Sequence, residues 1–572
     1  FRIGNFWLYQ RFLLHERLLG GFHLIAILAV GMATFFFIGI YSRRWTKSTA
    51  EFYVAGGQIP WKLNGVAMFS NYASGASFLG VAGAVALFGI DNWWLALGFF
   101  AAWVVVVLIL ASPLRRSGKY TVADALYERF TGSEIRVLTI IAGLTIGVLY
   151  LVPQLVGAGH LFNLLIPELD YFFWVAIAGG FTAVIVVMGG MRGTSYNQAF
   201  QGIIIFGAMT LLLVLAVVAY FNWNPLSILT EADSVVTPTQ VVQNGATEQI
   251  LAQYPVDSDG TASMAAAMAS MEVLPDEPSA LTPGVDVKDM LNQLSLVLGL
   301  FLGVVGLPHV LIRLYTVKDA VAARKSTELT IISLAIFYTM TLFVGFAAMM
   351  LLYPLLTDLI SQGEIGKATN TAVAELGRLL GGEILLGVVL AGAMAAILSS
   401  AVGLLIQMTT TVAHDGYTVL LRPESSEQQR VRVAQITGIV LTVMAVAMSF
   451  VLKEENVAQL VGLTFGIAAS TFAPVLLMTV WWTRYTRQGV VATFVVGLVV
   501  SMVYTFAKYS GMESLLGLPV LVNPALYGVP AAFAAGIIAS LLTKDVGAVD
   551  HFMHMAHDRD GSDRNGSAAS SS

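Results

Sequence analysis

The chain has 572 residues and a formal net charge of -5, and 57% of its residues are hydrophobic against 11% charged. This composition indicates a chain whose solvent is lipid, and it excludes a set of soluble domains, whose exposed apolar surfaces would have nothing to bury them. The basic residues fall in short segments between apolar runs, which excludes a nucleic-acid partner. Cysteine is absent, which excludes disulfides, thiolate metal sites and cysteine nucleophiles.

The chain begins with a segment whose two basic residues, Arg11 and Arg17, do not suit a membrane span. We predict an interfacial N-terminal segment over residues 1–22 and a first transmembrane helix within residues 23–45. Because the first residue is Phe and not Met, we expect that an upstream segment was removed.

Apolar runs long enough to cross a hydrocarbon core of roughly 30 Å recur along the chain, and they predict about thirteen transmembrane helices. The predicted helices lie near residues 23–41, 61–88, 93–112, 133–165, 172–189, 198–221, 291–315, 328–355, 385–412, 433–452, 457–482, 488–508 and 529–543. A core of ten helices then occupies residues 51–482, and two more occupy residues 488–543. Residues 544–572 are predicted to form a cytoplasmic tail.

Charge separates the connecting loops into two groups. Alternate loops carry the basic residues, which are Arg43, Arg44, Lys47, Arg115, Arg116, Lys119, Arg313, Lys318, Arg324, Lys325, Arg422, Arg430, Arg432, Arg484 and Arg487. The longest of the other loops, residues 222–287, has nine Asp or Glu and no Lys or Arg. The positive-inside rule therefore predicts that this loop is external, with the N-terminus outside and the C-terminus inside. The loop is either partly ordered against the membrane domain or a flexible excursion.

The first core helix contains a small and polar stretch, Ser70-Asn71-Tyr72-Ala73-Ser74-Gly75-Ala76-Ser77, near the middle of an apolar span. Such a stretch can unwind, which frees backbone carbonyls for a cation and exposes a half-helix N-terminus to an anionic solute. The alternative is that these small residues only allow close packing of helices.

Two adjacent serines, Ser399 and Ser400, lie in the middle of another predicted span. Their hydroxyls could contribute to a sodium site together with carbonyls of the unwound helix, or they could bond to carbonyls of their own helix. The predicted spans contain almost no ionisable residues and hence no carboxylate relay of the kind a proton-driven pump would show. We therefore expect sodium coupling, with a proton as the alternative.

Further polar or flexible positions lie in the third and sixth core helices. Gln154 is an amide near a proline on an otherwise apolar helix, so it must find a partner in the bundle or a cavity. His160 is either a packing residue near the external end or a solute contact. Gly303, Gly306 and the following proline weaken the sixth core helix, five helices after the first, which predicts two inverted five-helix repeats with a site at their interface.

At these residues the sequence resembles the sodium:solute symporter family, from Glu51 to about Asn523. The resemblance rests on several motifs in order, which are Glu51-Phe52-Tyr53-Val54-Ala55-Gly56-Gly57, Ala73-Ser74-Gly75-Ala76-Ser77-Phe78-Leu79-Gly80, Tyr120-Thr121-Val122-Ala123-Asp124, Gly189-Gly190-Met191-Arg192-Gly193, Gly306-Leu307-Pro308-His309 and Ala413-His414-Asp415-Gly416-Tyr417. The stretch from Leu307 to Arg313, followed by Thr316-Val317-Lys318-Asp319, is most similar to the cation/acetate and monocarboxylate permease branch.

The resemblance implies an all-α membrane protein with the LeuT-type inverted-repeat fold. It implies a sodium site between core helices one and eight, built from backbone carbonyls of Ser70, Ala73 and Ala396 and the hydroxyls of Ser399 and Ser400. Family members with a second sodium site carry an aspartate on core helix five, where this chain has Gln198, so a second sodium is not expected.

The resulting prediction is a sodium-coupled symporter in the plasma membrane, with lipid as its surroundings and a small organic solute, most simply a monocarboxylate such as acetate, as its cargo. Na+ is the only cofactor expected, and no enzymatic motif is present. The predicted solute contacts are Tyr72, Ser74, Gly75, Ser77, Gln154, Gly303, Gly306, Thr464 and Ser470. One alternative is a symporter for an amino acid, a sugar or another organic acid. Two others are an ion channel and a transporter-like sensor, and the sensor is disfavoured because too few residues follow Thr543 for a kinase.

Overall fold

The structure, a computed structural model, describes residues 48–165, 170–256, 260–285, 289–453 and 457–557, together with most of residues 31–44. The predicted interfacial segment 1–22 and residues 558–572 of the predicted tail lie outside the described residues. The predicted first helix is described only in its second half.

The described chain is almost entirely helical. Its α-helices are α1 (Thr49–Val54), α2 (Trp61–Tyr72), α3 (Val81–Phe88), α4 (Trp94–Val105), α5 (Ala111–Ser117), α6 (Val122–Arg129), α7 (Ser133–Leu165), α8 (Tyr171–Tyr220), α9 (Pro225–Ala232), α10 (Pro238–Gln243), α11 (Thr247–Gln253), α12 (Gly260–Val273), α13 (Met290–Val305), α14 (Pro308–Leu311), α15 (Ala320–Leu351), α16 (Tyr353–Ser361), α17 (Ile365–Thr410), α18 (Glu427–Val451), α19 (Val457–Ser470), α20 (Phe472–Trp481), α21 (Arg487–Tyr509), α22 (Ala525–Leu542) and α23 (Val549–His557). The two strands β1 (Ser514–Leu515) and β2 (Leu518–Pro519) form a short antiparallel hairpin.

Ten helical runs among the described residues are long and apolar enough to cross a membrane. Several of these runs bend sharply or contain more than one helix. Helix α8 has 50 residues, about 75 Å of helix at 1.5 Å per residue, and it turns at Gly190, whose φ of 53° glycine adopts without strain. The run Ala76–Ser117 turns in the same way at Gly89, with φ 72°. The predicted spans therefore coincide with helices over residues 61–542, and the total of thirteen stays a prediction.

Several predicted boundaries were wrong by one helical turn or more, including three helix starts. The helix predicted to begin at residue 328 begins at Ala320, where Asp319 caps its N-terminus, and the last begins at Ala525 instead of residue 529. The helix predicted from residue 385 is part of α17, which begins at Ile365 and bends at Gly381 and Gly382. Polar residues before the bend hid this extension from an analysis of hydrophobicity.

The acidic segment 222–287 forms an ordered helical layer, apart from the few residues outside the described ranges. Val236 and Val241 are fully buried. The Tyr353 hydroxyl donates to the Val236 carbonyl at 2.5 Å, and the Thr239 hydroxyl donates to the Leu87 carbonyl at 2.8 Å. Of the two alternatives, partial order against the membrane domain is therefore the correct one.

Candidate ion and solute site

The first core helix is interrupted where the sequence predicts it. Helix α2 ends at Tyr72, and Ala73 has φ -68° and ψ 72°, the conformation of an inverse γ-turn. The Ser74 N–H donates to the Tyr72 carbonyl at 2.7 Å. It is thereby diverted from the Ser70 carbonyl, which a continuous helix would have satisfied. The helix resumes with one wide turn, Ala76–Gly80, before α3.

The two serines of α17 meet this interruption directly. The hydroxyl oxygens of Ser70 and Ser399 are 2.7 Å apart, and the Ser400 hydroxyl donates to the Asn71 carbonyl at 2.8 Å. Neither serine of α17 bonds to its own helix in the described contacts, so the alternative of local bonding does not hold. Ala73 and Ala396 are fully buried at the same junction. Neutral hydroxyl and carbonyl oxygens from two helices converge here, which is the donor set that a small hard cation prefers.

The sixth core helix is interrupted at the predicted position. Helix α13 ends at Val305, Leu307 is extended with φ -84° and ψ 106°, and α14 begins at Pro308, which has no N–H to continue the ladder. The two glycines of this segment pack against α19 so closely that a Cβ atom on Gly303 would lie 2.7 Å from the Phe465 Cβ. A Cβ atom on Gly306 would lie 2.3 Å from the Ala468 carbonyl oxygen.

A buried aromatic group lies between the two interruptions. The Tyr150 ring lies 5.3 Å from the His309 ring and 5.6 Å from the Phe465 ring. The Tyr72 ring lies 5.1 Å from Trp103, and the Tyr72 hydroxyl donates to the Phe99 carbonyl at 3.0 Å. Sequence analysis missed this group because single aromatic residues are common in any apolar span.

Gln154 lies one helical turn from Tyr150 and is 1% exposed, and both of its amide atoms lack a hydrogen-bond partner among the described residues. On the next turn of α7, a Cβ atom on Gly157 would lie 3.6 Å from Ile397, which also contacts Gly75. This face of α7 therefore points at the interrupted first helix. A buried amide with both polar atoms unused is the kind of group that a polar solute would satisfy.

His309 is a second buried polar group of this kind, which we did not predict as a site residue. It is 1% exposed, and neither ring nitrogen has a partner among the described residues. Its position directly after Pro308 in the interrupted helix was the signal that could have found it.

The other predicted contacts lie elsewhere or bond locally. The Ser77 hydroxyl pairs with the Tyr338 hydroxyl at 3.0 Å, and Thr464 donates to the Leu460 carbonyl of its own helix. Ser470 donates to the Gly466 carbonyl and packs against Gly528, so it faces the C-terminal helices. His160 is exposed and bonds to the Lys453 carbonyl at 2.8 Å, consistent with the packing interpretation.

Arg313 corrects the prediction that it is a cytoplasmic loop residue. Its side chain is fully buried, because the chain continues as a 3-10 turn, Ile312–Thr316, inside the bundle. The guanidinium donates to the Ser195 hydroxyl at 2.6 Å and to the side-chain oxygen of Gln198. The Gln198 amide nitrogen in turn donates to Asn71 Oδ1 at 3.0 Å and to the Ser399 carbonyl at 2.7 Å.

A second charged cluster joins α6, α7 and the end of the eighth core helix. Arg136 lies between Asp124 Oδ1 at 3.1 Å and Asp415 Oδ1 at 2.6 Å, and His414 Nε2 lies 3.1 Å from Asp124. Asp124, His414 and Asp415 each have an atom that could bind a metal, and these atoms lie within 4.8 Å of one another. The Arg136 guanidinium already bonds both carboxylates, so we interpret the cluster as an ion-pair network and not as a metal site. Burial opposes ionisation of Asp124, but the hydrogen bond and charge of His414, with the charge of Arg136, lower its pKa to about 2.

A small cavity separates this network from the interrupted sixth helix. Its lining includes Pro308 and Ile312 after the interruption and Asp415 of the network, together with Thr121, Gln407 and Phe472 among others.

Membrane-spanning helices that are interrupted in pairs around a polar centre define the class of secondary transporters. The chain belongs to the sodium:solute symporter family, whose profile matches residues 52–497. It is therefore a multi-pass membrane protein.

Two relatives are similar over most of their length. The chain is 34% identical over 516 residues to an uncharacterized symporter of Bacillus subtilis strain 168, covering 89% of this chain and 92% of that protein. It is 33% identical over 512 residues to a monocarboxylic acid transporter of Corynebacterium glutamicum, covering 87% of each.

Among solved structures, a sodium-coupled sialic acid symporter in a substrate-bound, outward-open state matches with a TM-score of 0.64 at 17% identity. The match covers 92% of this chain and 98% of that one. At this identity the match shows a shared all-helical fold and no more.

Proposed function

We propose that the protein is a sodium-coupled symporter that imports a small monocarboxylate by alternating access within a LeuT-type inverted-repeat fold. The observation that carries the proposal is the junction of the interrupted first helix with the serine pair of α17, where Ser70 meets Ser399 and Ser400 meets the Asn71 carbonyl. Family membership and the name of the relative from Corynebacterium support the coupling ion and the solute class, respectively.

The proposed sodium ligands are the carbonyls of Ser70, Ala73 and Ala396 and the hydroxyls of Ser399 and Ser400. In the structure the Ser399 hydroxyl lies 2.7 Å from the Ser70 hydroxyl, and the Ser400 hydroxyl donates to the Asn71 carbonyl. Sodium would replace those hydrogen bonds with contacts of its own and so fix the interrupted helix relative to α17. That ordering is the physical link between ion and solute, because the same interrupted segment borders the solute space.

The proposed solute space lies between Tyr72, Ser74 and Gly75 of the first helix, Gln154 of α7, and Gly303 and Gly306 of the sixth helix. It is closely packed and lined mainly by aromatic rings, which suits a solute of a few heavy atoms. The Gln154 amide and the ends of the interrupted helices supply the polar contacts for a carboxylate. Thr464 and Ser470 are not needed in this arrangement.

The test is uptake of radiolabelled acetate, propionate, pyruvate and lactate into proteoliposomes, with and without an inward sodium gradient. We expect sodium-dependent uptake of at least one acid, lost in the double variant Ser399→Ala with Ser400→Ala. The matched control is Ser449→Ala with Ser501→Ala, because both of these buried hydroxyls bond only to their own helices. Uptake of none of the acids would discard the monocarboxylate, and uptake that persists in the Ser399 and Ser400 variant would discard the sodium site.

A further inference from the structure

Arg313 is a buried guanidinium whose contacts are all neutral. It bonds to Ser195 and Gln198, and its Nε atom has no partner among the described residues. In the part of the chain that the structure describes, no Asp or Glu pairs with it, whereas Arg136 in the same bundle is paired with two carboxylates. An uncompensated positive charge in a membrane interior is unfavourable and is retained where it has a task.

The position of the charge points to that task. Gln198 is the single side chain between the guanidinium and Ser399, one of the proposed sodium ligands. Its orientation is determined by its neighbours, because the guanidinium is only a donor and the Ser399 carbonyl only an acceptor. The fixed cation therefore lies one side chain away from the place where a second cation would bind.

We propose that Arg313 is a specificity-determining residue that weakens sodium binding to the solute-free protein and favours sodium only together with an anionic solute. Two positive charges at this separation repel each other, and a carboxylate bound between the interrupted helices compensates for both. The sodium-loaded carrier without solute is then scarce, which suppresses uncoupled sodium leak. The inference rests on the proposed sodium site and adds to it the reason why the solute is an anion.

The charge raises the sodium dissociation constant of the solute-free protein, and a bound anion lowers that constant again. By thermodynamic reciprocity, sodium strengthens anion binding by the same factor. Without the charge at residue 313, sodium should bind tightly even when the anion is absent, so the solute-free carrier should load sodium at low sodium concentrations.

The experiment is a series of variants that differ in charge, each studied as full-length protein purified in detergent. Sodium affinity is measured from the shift of the unfolding temperature as sodium replaces choline. The summed charge of residues 198 and 313 is +1 in the wild type and in Arg313→Lys. It is zero in Arg313→Gln and in Gln198→Glu, and it is -1 in the double variant Arg313→Gln with Gln198→Glu. We expect the solute-free sodium dissociation constant to fall by roughly tenfold at each step of this series. Arg313→Lys should remain close to wild type, which a purely structural role of the guanidinium would not produce.

Arg129→Gln is the matched control, because Arg129 is equally buried and bonds only to backbone carbonyls near Tyr485, outside the proposed site. It should lower thermal stability and leave sodium affinity unchanged. The second measurement repeats the series with saturating acetate or the acid that the uptake assay identifies, and the acid should lower the sodium dissociation constant of the proteins with +1 to near the solute-free value of the neutral variants.

Equal sodium affinity across the charge series would overturn the role of Arg313 while leaving the symporter standing. Loss of affinity in Arg313→Gln and Arg313→Lys alike would also overturn it, in favour of a structural role. Absence of any sodium-dependent stabilisation, in wild type and variants, would overturn the proposed sodium coupling together with this inference.

Discussion

Gln154 is the residue through which the proposed solute contact can be tested most directly. Its amide is buried on the face of α7 that points at the interrupted first helix, and neither amide atom has a partner among the described residues. Gln154→Leu keeps the shape and removes both polar atoms, so the solute carboxylate would lose one hydrogen bond, a change of about 1.5–3 kcal/mol. We expect the KM for the carboxylate to rise by roughly tenfold or more while the sodium dependence of uptake stays the same.

The control for this change is Gln435→Leu, whose amide donates to the Val187 carbonyl at 2.9 Å between α18 and α8, outside the proposed site. It should leave the KM near wild type. An unchanged KM in Gln154→Leu would place the carboxylate elsewhere in the space between the helices.

Asp124 allows a prediction about pH, because it lies in α6, outside the membrane-spanning runs, and its pKa is lowered to about 2. A carboxylate with a folded pKa below its unfolded value of about 3.9 stabilises the folded state at higher pH, and this contribution is lost as the pH falls from about 4 to about 2. Asp124→Asn should therefore lower stability at pH 7 by about 2 kcal/mol and flatten the stability profile over that pH range.

Thermal unfolding in detergent, followed from pH 7 down to pH 2, measures this difference. Asp289→Asn, which removes an exposed capping carboxylate outside the network, should change the profile far less. Parallel profiles for wild type and Asp124→Asn would show that the ion pairs with Arg136 and His414 contribute no net stability.

At the scale of elements, hydrophobicity located the helices well because each must cross the same thickness of lipid. The analysis of hydrophobicity failed where the start of a helix or the burial of a residue does not depend on an apolar run. The extension of α17 before Gly381 is polar, and the buried position of Arg313 depends on a turn that continues a broken helix into the bundle. The mid-span position of Ser399 and Ser400 singles them out in the sequence, whereas the aromatic group around Tyr150 is assembled from five helices and leaves no local pattern.

The interruption of the sixth core helix depends on how closely it packs against α19. A methyl group on Gly306 would lie 2.3 Å from the Ala468 carbonyl oxygen and 3.0 Å from the Ala473 nitrogen, both backbone atoms that cannot move aside cheaply. Gly306→Ala should therefore displace the interrupted segment and abolish most uptake. Gly207→Ala is the control, because a Cβ atom there meets nothing within 4 Å, and it should transport normally. Wild-type solute affinity in Gly306→Ala would remove this segment from the site.

For the whole molecule, the charges that move decide how much work the membrane potential can do. The fixed charge of Arg313 belongs to the protein and is not transferred, and Gln198 supplies no carboxylate for a second sodium. One sodium and one monocarboxylate form a neutral pair, so a tenfold sodium gradient contributes about 1.4 kcal/mol and allows roughly tenfold accumulation at any membrane potential. A second sodium would add the same amount again, together with about 2.3 kcal/mol per 100 mV.

We therefore expect electroneutral transport by wild-type proteoliposomes. Addition of the transported acid in the presence of sodium should give no transient current on a solid-supported membrane. A potential set with potassium and valinomycin should leave the rate of uptake and the final accumulation unchanged. The variant Gln198→Glu with Arg313→Gln, which places a negative charge beside the proposed sodium ligands, is the opposite case: if it binds a second sodium, the same acid should produce an inward current. A current in the wild type that scales with acid uptake would mean that more than one sodium moves with each anion, and one-to-one coupling would be overturned.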